Sequence, residues 1–144
     1  KDPREFPPES LPKKLPRVTF AYIKQLWAAG ERRAAFNRLR DFGVTVTASG
    51  DASMKARVDL KLGEWLLQLD RLGSDAIIAR TVARFRSTVE LEPQWAKGWH
   101  KWAMVNFDVV EHYAKLLADA VDNDDAAASV DTVVVFNDSD ARRG

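Results

Sequence analysis

Between Trp95 and Tyr113 the chain reads WAKGWHKWAMVNFDVVEHY, and this stretch limits the possible folds more than any other. Trp95, Trp99, Trp102, Val109, Tyr113 and Leu116 recur at helical spacing on one face. Met104, Phe107 and Val110 carry the apolar surface round to the other side. A helix that is apolar on most of its faces is buried between neighbours or needs a partner. The spacing therefore predicts a helix over about 94–120 that is central or needs a partner, with Trp99 in the core. Truncating a buried Trp99 to alanine would then cost about 3–5 kcal/mol.

Four more helices follow from the same periodicity. Phe20, Ile23 and Trp27 mark one over 18–29, stopped by Gly30. Phe36 and Leu39 mark a second over 31–42, with Gly43 suited to the left-handed position after its end. A loop of Val, Thr, Ser and Gly is expected to run from there to about Ser53. Val58, Leu62, Trp65, Leu69 and Leu72 make a single stripe on a third helix, over 54–72. Ser74 is a natural N-cap for a fourth, with Asp75 favourable in its first turn. Ile78, Val82, Phe85 and Val89 form the stripe of that helix, and Pro93 ends it.

The ends of the chain differ from this middle. Residues 1–16 hold Pro3, Pro7, Pro8, Pro12 and Pro16, and proline disfavours helix at itself and at its predecessor. An extended lead-in is predicted there. From Asp119 the composition falls into Asp, Ala, Asn and Ser, predicting a disordered acidic tail over 119–144. Residues 17–118 carry 16 Lys/Arg against 11 Asp/Glu, while 119–144 carry 2 against 7. A mildly basic body with an acidic tail, at net charge +1, lacks the concentrated basic field of a nucleic-acid binder. There is no cysteine, so disulfides, thiolate metal sites and a cysteine nucleophile are excluded. No apolar run reaches the roughly 18 residues of a membrane span. The first residue is Lys1 rather than Met, and the chain is expected to be a piece of a longer protein.

No residues assemble into a catalytic, cofactor-binding or metal site. Asp41-Phe42-Gly43 spells the metal-binding DFG of protein kinases. That chemistry also needs a Gly-rich loop, a strand lysine and a catalytic-loop Asp upstream, and only a lead-in and two helices precede Asp41. Phe42 as the last apolar residue of helix two, with Gly43 capping it, is the expected reading. His100 and His112 lie on one helix about 18 Å apart along the axis and about 120° apart around it, too far to share a metal. Arg80 and Arg84 are one turn apart, and helix two carries Arg32, Arg33, Arg38 and Arg40. These could touch an acidic partner, but a solvated face is the default. Gly63 and Gly98 sit inside helices, where each costs about 1 kcal/mol relative to alanine. Close helix approach beside Trp65 and Trp99 would explain them.

Trp65 and Trp99 are 34 residues apart, the period of a tetratricopeptide (TPR) repeat. Phe85 and Pro93 occupy the places where such repeats put an aromatic and a proline, although Thr81 and Thr88 replace the usual small residues. The predicted fold is all-α: antiparallel helix pairs stacked as a TPR-like and HEAT-like solenoid fragment. Its structural core is expected to comprise Trp27, Trp65, Phe85, Trp95, Trp99, Trp102 and Tyr113.

The segments VTFAYIKQLW (18–27), LKLGEW (60–65) and WAKGWHKWAMVNFDVVEHY (95–113) resemble the FAT region of target-of-rapamycin (TOR) kinases. These are large serine/threonine kinases related to phosphatidylinositol-3-kinases. The segments occur in the family's order and anchor residues 17–118. The resemblance implies a helical solenoid that wraps around the kinase domain, positions it and helps assemble the TOR complex in growth and nutrient signalling. It implies as partners the rest of the same kinase polypeptide and the TOR complex subunits, in a cytoplasmic or endomembrane-associated setting. It also implies that a variable insertion follows the Trp-rich helix. The catalytic parts lie C-terminal to this region in the family, so the resemblance transfers no catalytic residue and no cofactor. The short Val/Thr-rich segment 44–53 departs from the family pattern. The alternative is a free-standing TPR-like adaptor that binds a peptide or partner helix.

Overall fold

The computed structural model describes the backbone of residues 11–143 and the side chains of 14–125. It contains five helices in sequence: α1 (Leu11–Ala28), α2 (Arg32–Ser49), α3 (Ala52–Asp70), α4 (Asp75–Leu91) and α5 (Ala96–Arg143). The first ten residues of the proline-rich lead-in lie outside the described residues. By its contacts the chain divides into two units, one ending at Asn106 and the other starting at Phe107.

In the first unit, successive helices pack on one another, α1 on α2, α2 on α3 and α3 on α4. The turns between them follow from local chemistry. Gly30 and Gly50 take positive φ, 97° and 76°, where a side chain would be strained. The Asp51 carboxylate accepts from the Met54 amide at 3.0 Å and starts α3, and the Ser74 hydroxyl accepts from the Ile77 amide at 3.3 Å and starts α4.

Two helix boundaries differ from the sequence expectation. α1 begins seven residues before position 18 and contains Pro16. The first turn of a helix has no intrahelical use for its N–H groups, so Pro12 is tolerated there. Pro16 forfeits one backbone bond, and the burial of Phe20 and Ile23 holds the helix beyond it. α2 does not stop at Phe42. It passes through Gly43 and the β-branched run Val44–Thr47 and ends at Ser49, with Gly50 rather than Gly43 as the left-handed cap. Val46 is buried, and the Thr47 hydroxyl donates to the Gly43 carbonyl at 2.8 Å. Tertiary packing thus overrides a weak local propensity.

Within the first unit the central helix is α3. Ala56, Val58, Asp59, Leu60, Leu62, Gly63, Trp65 and Leu66 are all buried on it, because it packs against α2 on one side and α4 on the other. One apolar cluster joins α1, α2 and α3 around Ile23, Leu39, Val58, Leu62 and Trp65. A second, smaller one gathers Leu60, Phe85 and Val105, with Trp95 and Trp102 packed against it.

α5 reaches Arg143. Between Asp119 and Arg143 there is neither glycine nor proline, and alanine is the best helix former. In the second unit Phe107, Val110, Leu117 and Val121 are exposed. They fall within about 120° of the helix circumference at 3.6 residues per turn.

Candidate functional site: the tryptophan seam

The seven residues expected to form the core separate in the structure. Trp65 is 3% exposed, and its ring lies parallel to that of Trp27 at 4.2 Å between centroids. The Arg32 guanidinium sits 5.1 Å from the Trp27 ring on α2's side. Trp65 and Trp99 are therefore related by register, while the stacking partner of Trp65 is Trp27, 38 residues away. Phe85, 1% exposed, belongs to the second cluster, with Trp95 and Trp102 half-buried beside it. The Arg57 guanidinium lies 4.6 Å from the Trp95 ring.

Trp99 and Tyr113 depart from the expectation. Trp99 is 46% exposed and Tyr113 42%. The Trp99 indole N–H donates to the Pro93 carbonyl at 2.6 Å, and its ring meets Trp102 at 5.6 Å. Helical spacing put both on one apolar face with Trp95 and Trp102, but burial reaches only the latter two, which pack against the second cluster. Trp102 Nε1 is buried without a hydrogen-bond partner among the described residues, a loss of about 1–3 kcal/mol for such a donor.

Gly63 and Gly98 mark close helix approach, with α4 as the neighbour. A methyl group added at Gly63 would lie 2.7 Å from Cε2 of Phe85, and one at Gly98 would lie 3.0 Å from Cγ2 of Thr88. Thr81 and Thr88 are fully buried, which their hydroxyls permit by donating to the carbonyls of Ile77 (2.8 Å) and Arg84 (3.0 Å) one turn back. Gly63→Ala is expected to destabilise the chain by about 1–3 kcal/mol through overpacking, outweighing the roughly 1 kcal/mol that alanine adds to helix propensity. Thermal melts of the two proteins check this, and a raised melting temperature would contradict the packing of Phe85 on Gly63.

A polar cluster that the sequence reading missed lies between α3 and α4. The Asp59 carboxylate is 1% exposed. Its Oδ2 accepts from the Ser87 hydroxyl at 2.6 Å, and its Oδ1 accepts from Arg84 at 3.1 Å and pairs with Lys55 at 3.0 Å. A buried carboxylate with both oxygens engaged ties the two helices together. The sequence did hold a signal: Asp59 stands between Val58 and Leu60 on a helix whose neighbouring positions are apolar, so it must find partners.

The other motifs are structural too. Asp41 is exposed on the surface of α2, 3.9 Å from Arg40. The Phe42 ring packs near Phe20, with centroids 6.1 Å apart. Gly43 faces α3, where an added methyl would lie 3.3 Å from Val58 Cγ1. Asp-Phe-Gly is thus a mid-helix segment that lets α2 approach α3. His100 and His112 fall in different units, and the His112 ring stands edge-on to Tyr113 at 5.4 Å.

Comparison with known families fits this helical architecture: the FAT domain model matches residues 2–136. The chain belongs to the FAT domain family. The FAT chain is 32% identical over 132 residues to the serine/threonine-protein kinase TOR of Arabidopsis thaliana, a match that covers 75% of the chain and 5% of that protein. It is 31% identical over 122 residues to the serine/threonine-protein kinase mTor of Drosophila melanogaster, covering 76% of the chain and 5% of the protein. Against the serine/threonine-protein kinase tor1 of Schizosaccharomyces pombe, identity is 29% over 131 residues, or 75% of the chain and 6% of that kinase. The FAT chain thus spans about one-twentieth of the length of these relatives. No described helix is long and apolar enough to cross a membrane.

Proposed function

We propose that this FAT segment is a non-catalytic helical scaffold of a TOR-type serine/threonine kinase. It packs around the kinase domain, holds it in position and supports assembly of the TOR complex in the cytoplasm. Its partners are the neighbouring helical repeats, the kinase domain of the same polypeptide and the subunits of the complex. The observation that supports this reading is the exposed apolar row Phe107, Val110, Leu117 and Val121. A solenoid segment shows such a row where the adjoining repeat would lie. Trp27, Trp65, Phe85, Trp95 and Trp102 act as packing residues inside the segment, and Trp99 and Tyr113 as packing residues toward its neighbours.

Hydrogen exchange tests the proposal. Amides over 104–118 should exchange at least about tenfold more slowly in the complete polypeptide than in the 144-residue chain, because covering the apolar face removes local opening. Equal exchange in both would sink the scaffold reading and favour a free-standing adaptor. The isolated chain is also expected to transfer no phosphate. Phosphotransfer that disappears in an Asp41→Ala variant would overturn the non-catalytic assignment.

A further inference from the structure

Four arginines line one cleft of the first unit. Arg33 and Arg40 come from α2, and Arg80 and Arg84 from α4, around a space of about 410 Å³. Phe36 and Leu66, both core residues, contribute apolar surface to the same cleft. Asp70 is the acidic residue in its lining, and it reaches Arg33 at only 3.4 Å. Arg84 is committed to Asp59. Arg40 and Arg80 are exposed, and Arg80 has no ion-pair partner among the described residues. With Arg33 paired to Asp70, Arg84 to Asp59 and Arg40 only 3.9 Å from the exposed Asp41, the unbalanced positive charge of the cleft rests chiefly on Arg80 and Arg40, and a low-dielectric wall strengthens their joint field.

We infer that this cleft docks an acidic amphipathic helix of a partner protein, with an apolar ridge seated on Phe36 and Leu66 and carboxylates facing the arginines. Two features select this occupant. Arg33 and Arg40 are seven residues apart on α2, about 10.5 Å or two helical turns, which matches carboxylates spaced i, i+7 on a helix lying along the cleft. Arginine also presents a planar fork that suits carboxylates. A bare polyanion would satisfy the charge and leave the apolar surface unused, whereas a helix with an apolar ridge uses both. The inference does not depend on the kinase reading.

Fluorescence anisotropy with the 144-residue chain tests it. The probe is a labelled helical peptide of about four turns, with glutamates on both flanks of a Leu/Phe ridge. Arg40→Glu combined with Arg80→Glu should weaken binding at least about tenfold. Arg86→Glu, on α4 but outside the cleft and paired with Glu90, should leave binding within about twofold. Replacing the peptide ridge by serines at constant charge should also cost about tenfold or more. If charge reversal lowers helicity by circular dichroism, Arg40→Gln with Arg80→Gln reads the same loss without it. The inference fails if the wild-type chain does not bind the peptide, if Arg86→Glu weakens binding as much as the cleft variants, or if the ridgeless peptide binds equally well. Displacement of the peptide by equimolar tripolyphosphate would make the cleft a phosphate site and overturn the helix-docking assignment.

Discussion

Truncating Phe85 to alanine is expected to cost about 3–5 kcal/mol of stability, the range for a large aromatic removed from a packed core. Phe85 is almost wholly buried and joins α4 to Leu60 of α3 and Val105 of α5. Its ring also fills the space that Gly63 leaves open, so no nearby side chain can collapse into the cavity without moving a helix. Urea denaturation followed by circular dichroism measures the effect. Trp99→Ala is the informative contrast. With nearly half its surface exposed and one hydrogen bond to Pro93, its loss should cost only about 1–2 kcal/mol. A Trp99→Ala cost as large as that of Phe85→Ala would mean that Trp99 is packed in the core.

Asp59→Ala should be the next most damaging change, at about 2–3 kcal/mol. Removing one partner of a fully buried ion pair costs roughly 3–5 kcal/mol because the other charge is left unpaired. Here Lys55 and Arg84 retain some access to water and can be partly solvated, which lowers the figure. Asp59→Asn keeps an acceptor for Ser87 and should recover part of the loss. Since the carboxylate is shielded from solvent, the penalty should persist at 1 M salt, where the Debye length is about 3 Å. A penalty that vanishes in salt would mean that Asp59 acts as a surface charge.

The helices were legible wherever the apolar period was long. Ser74 as the cap of α4 and the stripe Ile78, Phe85, Val89 could be read directly from residue spacing. So could the need for Gly63 and Gly98 to admit a close neighbour. The end of α2 was not legible, because Gly43 and the valine–threonine run both signal a stop locally. Only the fit of Gly43 against Val58 and the burial of Val46 show why the helix continues. The Asp59 cluster was hidden for a similar reason. Its partners Arg84 and Ser87 lie 25 and 28 residues further on, a separation at which no local pattern operates.

The stretch from Trp95 to Tyr113 shows where the two sources of information divide. By itself the sequence determined that it is helical, that its apolar surface is too wide for a free-standing helix, and that the chain is all-α and resembles the FAT family. Only the tertiary structure decided that α3 is the central helix, that Trp65 stacks on Trp27, and that Trp99 and Tyr113 stay exposed. Periodicity reports which side chains share a face, because that depends on the geometry of one helix. Which face is covered depends on what lies opposite it, and that is a property of the assembled helices.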